Sequence, residues 1–385
     1  MRTVSLVAVA VLAVACTGNG DGAPAGRLVV TGPDGALTLV DPQGGEPEVL
    51  SEGSRGAVPV QATASPDGET LVWSDVAPDG ETPVLKVHDQ AGTRELESPT
   101  VPFYYAFAPA GVTVAALGND PEGAGVALLI IDLGRDSVEL VDVGQPYYLD
   151  WAPDGARFAV HIGADVLALV DHDGQRTGVA ARAGPFSAPA WTDDGRIVAV
   201  VATDQVTASA ASLQTATFNV TLIDPDNGST EMIADVEEAV AFEVAGDRIA
   251  VLEGDSGVGP LTVLTVDGSE SVEVARDVVA FEWSPGGDVL LFYTLAEATF
   301  VPHVWDGEEV TDYPGFVPTP ILLTQYLPFW AQYTRTITQW SPDSSAFAYA
   351  AVPEGGEDGE GTVWVQPLQG DAEEMGSGEM VIWTP

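Results

Sequence analysis

Basic side chains are scarce in this chain. Thirteen Lys and Arg stand against 58 Asp and Glu, Lys86 is the sole lysine, and the formal charge is −45. A surface of that sign repels phosphate and anionic lipid alike, which excludes nucleic-acid binding and membrane adhesion through basic contacts. Cysteine is rarer still: Cys16 stands alone, so no internal disulfide and no thiolate metal site can form. The four histidines, His88, His161, His172 and His303, lack metal-ligand spacing, and there is no G-x-S-x-G nucleophile elbow. No cofactor is expected.

Apolar residues are not scarce. They make up 45% of the chain, enough for a large core, so the acidity is not that of a disordered tail. Dispersed carboxylates with almost no lysine suit a protein working at high ionic strength, where screening shortens to about 3 Å at 1 M; an acidic docking surface is the other reading.

At the start, Met1-Arg2 is followed by the apolar run Val4 to Val14, too short to span a bilayer as a helix. Ala13-Val14-Ala15-Cys16 closes that run and resembles a bacterial lipobox, with Ala where Leu is preferred. Residues 1–15 are therefore expected to be a lipoprotein signal peptide, Cys16 the acylated residue, and residues 16–26 a polar tether. The chain would be held outside the cytoplasm, touching the cell membrane through its lipid alone.

From residue 27 onward one pattern repeats. A short apolar run ends in a small or hydroxyl residue, a tight turn follows, and the next run is apolar again: TASPDGETLVW from Thr63, LDWAPDGARFAV from Leu149, FEWSPGGDVLLFY from Phe281, TQWSPDSSAFAYA from Thr338. Marked by the residue before the turn, the copies fall at Ser65, Ala108, Ala152, Thr192, Val244, Ser284, Ser341 and Thr384, at intervals of 40 to 57 residues. That period, with several short strands per copy, predicts propeller blades, each a four-stranded antiparallel sheet with strands A to D from the centre outward. In the copy around Ala152 the turn residues predict A over Tyr147 to Ala152, B over Arg157 to Ile162, C over Val166 to Asp171 and D over Arg176 to Ala180. Pro sets φ, Asp bonds local backbone and Gly supplies positive φ, so these turns need no metal to explain their aspartates.

The two ends complement each other. Arg27 to Thr31, Leu37 to Asp41 and Glu46 to Ser51 read as B, C and D without an A, and Glu379 to Thr384 as an A without the rest. Pairing them would complete one blade and leave no free edge between first and last. The expected fold is all-β, a single β-propeller over residues 27–385, with eight blades, or seven if the irregular copy around Val244 only elaborates its neighbour.

The turns Trp340-Ser341-Pro342-Asp343 and Trp283-Ser284-Pro285-Gly286-Gly287 resemble the WD40-like repeats of the TolB type, marked by W-S-P-D-G between strands A and B. The resemblance covers Arg27 to Pro385. It implies a propeller but no single activity, since such propellers serve as scaffolds, periplasmic partners and enzyme accessory domains.

Function is expected where copies depart from the repeat. The B-to-C loops and D-to-A crossings share one face, and two of them swell: Asp204 to Phe218, and Gly315 to Thr336. The second gathers Phe316, Tyr326, Phe329, Trp330 and Tyr333 among three prolines, and aromatic side chains are common binding anchors. It reads either as a docking loop or as a plug for the central channel. Tyr104, Tyr147, Tyr148, Phe186, Glu238, Asp277 and Arg335 are candidate lining, and only about half can face inward, because side chains alternate along a strand. Short acidic loops on the same face include Asp75, Asp79 and Glu81; Asp120 and Glu122; Glu253 and Asp255; and Glu354 to Glu360.

The favoured reading is a monomeric binding scaffold of the cell envelope, presenting this face to an envelope protein, a peptide or a glycan. The alternative is a glycan-acting hydrolase with carboxylates such as Glu238 and Asp277 at the channel mouth, a chemistry that needs the two groups about 5–10 Å apart.

Overall fold

The computed structural model describes residues 24–53, 60–76, 83–184, 187–202, 218–236, 240–254, 257–353 and 361–385. Among them the strands form seven antiparallel sheets, five of four strands, one of seven and one of three. Alternating apolar runs and tight turns produce this result directly. The sheet around Ala152 has strands Tyr147–Trp151, Arg157–Ile162, Val166–Asp171 and Arg176–Arg182, in that order, the first three in simple hairpin register and the last with a shift between Val166 and Ala168. The outermost strand runs two residues further than the turn chemistry indicated.

Hydroxyl residues mark the A-to-B turns because they hold them. Ser65 Oγ donates to Asp67 and accepts the Thr70 amide at 2.9 Å, while Gly68 takes φ 70°. Ser341 with Asp343, and Thr192 with Asp194, repeat the arrangement. Tryptophan at the end of strand A ties one sheet to the sheet before it. The indole of Trp151 donates to the Ala106 carbonyl at 2.9 Å, that of Trp191 to Asp150 O at 3.2 Å, and that of Trp340 to Glu282 O at 3.3 Å.

The core lies between neighbouring sheets. Val72, Leu85 and Val87 of one sheet pack with Tyr105, Val114 and Leu129 of the next, and Leu28, Val30 and Trp383 pack with Ala346, Ala348 and Val363. Each sheet therefore buries its faces only through its partners.

The seven-stranded sheet runs Val240–Ala245, Arg248–Glu253, Gly259–Thr265, Ser271–Trp283, Leu290–Ala296, Thr299–Trp305 and Val310–Asp312. Its middle strand, 13 residues long, pairs by its first half with Gly259–Thr265 and by its second with Leu290–Ala296. It is the outer strand of one copy and the inner strand of the next. The irregular copy around Val244 thus has strands of its own. The three-stranded sheet, Ala346–Ala351, Thr362–Pro367 and Glu373–Ser377, receives its inner edge from Thr338 to Trp340 through the bridge Trp340 to Phe347.

At the ends, Leu28–Thr31 pairs antiparallel with Met380–Trp383, Val29 opposite Ile382, so first and last segments share one four-stranded sheet with Leu37–Val40 and Glu48–Ser51.

Candidate functional site

The crossing from Gly315 to Thr336 enters by strand pairing. Phe316 exchanges both backbone hydrogen bonds with Phe300 at 2.8 Å, and its ring stacks on Tyr349 with centroids 4.3 Å apart. A π-helical turn, Leu322–Tyr326, leads into a helical turn, Leu327–Trp330, with Pro328 in its first turn, where a missing N–H costs nothing.

This segment then touches the inner strands of sheet after sheet. Gln61 Nε2 donates to Thr336 Oγ1 at 3.3 Å, Tyr104 OH to Thr334 O at 2.8 Å and Tyr148 OH to Gln332 Oε1 at 2.9 Å. Gln332 O accepts the Ala188 amide, Arg335 Nη2 donates to Phe281 O at 2.6 Å, and Thr319 Oγ1 to Glu379 O at 2.5 Å. A segment that reaches so many innermost strands occupies the space they share.

Of the aromatic residues singled out, Phe316, Tyr326 and Trp330 are buried, and Phe329 and Tyr333 half-buried. Tyr333 sits 4.9 Å from both Tyr104 and Tyr148 and 5.1 Å from Phe329, ring to ring. Of the rings that were candidates for display to a partner, Phe316, Tyr326 and Trp330 are packed inward, while Phe329 and Tyr333 keep part of their surface accessible. The large aliphatic side chains that the crossing exposes are Val317 and Leu323, 44% and 42% accessible.

Alternation separates the adjacent tyrosines. Tyr148 meets the crossing, whereas Tyr147 is fully buried among neighbouring sheets and donates to Asp142, which is also held by Arg176. Tyr147 is therefore not a channel residue. Asp75 is no rim carboxylate either: it is buried, 3.2 Å from Lys86 Nζ, and accepts from Ser51 Oγ. Asp277 is exposed at a left-handed φ of 58°. Cys16, Phe186, Glu238, the insertion at 204–217 and the acidic positions 79, 81, 255 and 354–360 lie outside the described residues.

Sequence reasoning missed a set of inner-strand carboxylates. Asp150, Glu243 and Glu282 hold equivalent places, opposite Ala159, Ala250 and Leu291 on their hairpin partners. Each accepts a backbone N–H from the next inner strand: Asp150 from Trp191 at 2.7 Å, Glu243 from Trp283 at 3.1 Å, Glu282 from Gln339 at 3.2 Å. The available signal was the polar residue directly before Trp in Asp150-Trp151 and Glu282-Trp283. Arg335, near the end of the crossing, reaches Glu243, its Nη2 3.7 Å from Glu243 Oε2 and its guanidinium 4.7 Å over the Trp330 ring.

Glu243, Glu282 and Arg335, but not Asp150, line a cavity of about 660 Å³ that opens between the A-to-B turns, bordered also by Trp283, Trp340, Trp383 and Pro342.

Burial pushes the Glu282 carboxyl up to about 7 despite Arg335, and raises Glu243 as well. Burial likewise pushes Asp150 up to about 7. The folded state therefore binds more protons than the unfolded one between pH 4 and 7. The stability these protons confer is fully present below pH 4 and is lost as pH rises through 7. For Glu282 alone the loss is about 3 kcal/mol. Glu282→Gln, which keeps an acceptor for the Gln339 amide, is expected to flatten this slope in urea titrations run at pH 5 and pH 8 under constant salt. A slope unchanged by the substitution would remove Glu282 from the account.

Among the described residues no group of three or more His, Cys, Asp or Glu is placed to hold a metal, and no helix is long and apolar enough to cross a membrane. The Asp224 carboxylate caps its own turn by accepting the amides of Asp226 and Asn227.

No protein-family model and no curated protein matches this sequence. Solved structures do resemble it. The β-propeller domain of the Trilobed protease from Pyrococcus furiosus aligns over 83% of this chain and 95% of that one at 14% identity, with a TM-score of 0.51. Dihydro-heme d1 dehydrogenase NirN aligns over 94% and 76% at 14% identity, with a TM-score of 0.57. TolB from Acinetobacter baumannii aligns over 66% and 64% at 16% identity, with a TM-score of only 0.39. At these identities the likeness shows the fold alone, and the fold is a β-propeller.

Proposed function

We propose that this chain is a lipid-anchored, extracytoplasmic propeller of eight blades that acts as a binding scaffold of the cell envelope. The blade count follows from dividing the seven-stranded sheet at Ser271–Trp283 and treating the joined ends as one blade that closes the ring. The observation that carries binding over hydrolysis is the use of the inner carboxylates. Asp150, Glu243 and Glu282 each hold the backbone N–H of the next inner strand, which is a joint between sheets and not a free acid–base pair.

Orientation follows from where the tether meets the ring. Gly26 packs against Thr384 and Pro342, and the Ala25 amide donates to Asp343, so the tether leaves beside the A-to-B turns. Ten residues from Cys16 to Gly26 reach about 17 Å on average. The plugged face then points away from the bilayer, toward an envelope protein or peptide, and a net charge of −45 favours a cationic partner surface. Affinity capture from native membranes at the organism's working salt tests this. The full chain is expected to retain a partner that Leu323→Asp and Val317→Asp lose; capture unaffected by either would rule out the plugged face.

One observation favours a second reading. Glu282, with its proton held up to about 7, borders the same cavity as Glu243, the kind of acid a glycan hydrolase requires. Release of reducing ends from a polysaccharide, abolished by Glu282→Gln, would establish it.

A further inference from the structure

Two inner strands carry an extra residue where they meet the crossing. In Val60–Ala64 the pairing with Leu71–Val76 shifts between Val60 and Thr63, and Gln61 takes a left-handed φ of 44°. In Pro102–Phe107 the pairing with Thr113–Asn119 shifts between Pro102 and Tyr104, which leaves Phe103 without a counterpart. Such bulges re-aim side chains and are over-represented beside functional sites. Here both bulged residues line one pocket.

That pocket holds about 290 Å³ and is walled by Gln61, Phe103, Thr324, Gln325, Tyr326 and Phe329. Gln61 and Tyr326 are buried, whereas Phe103, Gln325 and Phe329 are half-buried and Thr324 is exposed, so a visitor meets chiefly two phenyl rings with polar side chains beside them. The rings stand 6.2 Å apart, tilted by 46°. A volume just below the usual range of small-ligand pockets suits one bulky side chain better than a whole ligand. An aromatic ring seated in a pocket is the common anchor of a protein interface.

Charge decides what carries the anchor. Glu52 and Glu97, both exposed, lie on the D-to-A connections that lead into Gln61 and Phe103, and exposed Glu122 is in the loop after Gly118, which packs on Thr100 and Val101. Arg182 and Arg276, cations of the same face, are already paired with Asp165 and Glu273. An acidic segment is repelled here and a basic one is attracted.

We infer that the pocket between Gln61, Phe103 and Phe329 seats one aromatic side chain from a basic segment of a partner protein. This site belongs to the plugged face and rests on the scaffold reading above.

The test uses the full chain purified in detergent and three fluorescein-labelled peptides, KKGWGKK, KKGAGKK and EEGWGEE, followed by anisotropy at one salt concentration. KKGWGKK is expected to bind at least ten-fold tighter than KKGAGKK, and EEGWGEE to bind weakest. Thr324→Trp, which sets an indole of the protein's own at an exposed position on the pocket wall, is expected to reduce KKGWGKK to the level of KKGAGKK and to leave KKGAGKK unchanged. Should that variant fail to fold, the Thr324 and Gln325 amide resonances of the 15N-labelled parent give the same answer by shifting with KKGWGKK and not with KKGAGKK. Equal binding of the two basic peptides with unmoved amides would overturn the pocket and leave the acidic face as a docking surface. Binding of neither, or preference for EEGWGEE, would overturn the pocket and the cationic partner together.

Discussion

Phe316→Ala is expected to lower the free energy of unfolding by about 3–5 kcal/mol, the usual cost of emptying a buried aromatic site. Its ring is 7% accessible, lies on Tyr349 and meets Tyr293 and Phe300 edge-on, so neighbours on three strands lose contact together. On the same crossing Leu323 is 42% accessible, and Leu323→Ala is expected to change stability by no more than about 0.5 kcal/mol. The contrast is the point. A docking loop resting on the surface would give two small effects, whereas a segment built into the centre of the ring gives one large and one small. Urea denaturation of the two variants beside the parent, at one salt concentration, reads the difference as midpoint shifts. Equal shifts would mean that the crossing is not a plug.

The second large effect belongs to the seam between the chain ends. Met380, Val381, Ile382 and Trp383 are all at least 97% buried and lie against Leu28–Thr31 in register. Ending the chain at Glu379 removes them all at once and with them burial worth about 1.5–3 kcal/mol each, or on the order of 10 kcal/mol together. That is comparable to the whole stability of an ordinary domain. It also leaves Leu28–Thr31 with an unpaired edge, which invites pairing with another chain. The truncated protein is expected to lose cooperative unfolding and to elute as aggregates in size-exclusion chromatography. A monomer with an unshifted melting transition would mean that the seam contributes little.

Much of this fold could be read from the residues. Period-two runs bounded by Pro-Asp-Gly turns located the strands from Arg157 to Asp171 to the residue, since side-chain alternation and turn chemistry are local. The complementarity of the ends was legible for the same reason. The site was less so. Whether Tyr147 or Tyr148 faces the channel depends on the register of the whole strand against its neighbour, and an isolated Tyr-Tyr pair does not contain it. Phe316 and Trp330 look alike as anchors and as filling, because both roles select large aromatics. Asp75 reads as one more acidic loop residue until Lys86, the sole lysine, arrives from the adjacent strand. The inner carboxylates were the clearest omission: an acidic residue near the end of one inner strand is unremarkable, and its meaning emerges only when three copies place one at the same level, each accepting the backbone N–H of the next strand.

The joining of the chain's two ends into one sheet is the claim on which the ring, its plug and its two faces depend. Val30 and Val381 are directly opposed in that sheet, where antiparallel partners stand about 4.5–5.5 Å apart between Cα atoms, within reach of a disulfide. In a Cys16→Ser background, Val30→Cys combined with Val381→Cys is expected to give, on oxidative refolding, an intramolecular bond that peptide mass spectrometry assigns to positions 30 and 381. Two free thiols in the folded, oxidised protein would contradict it.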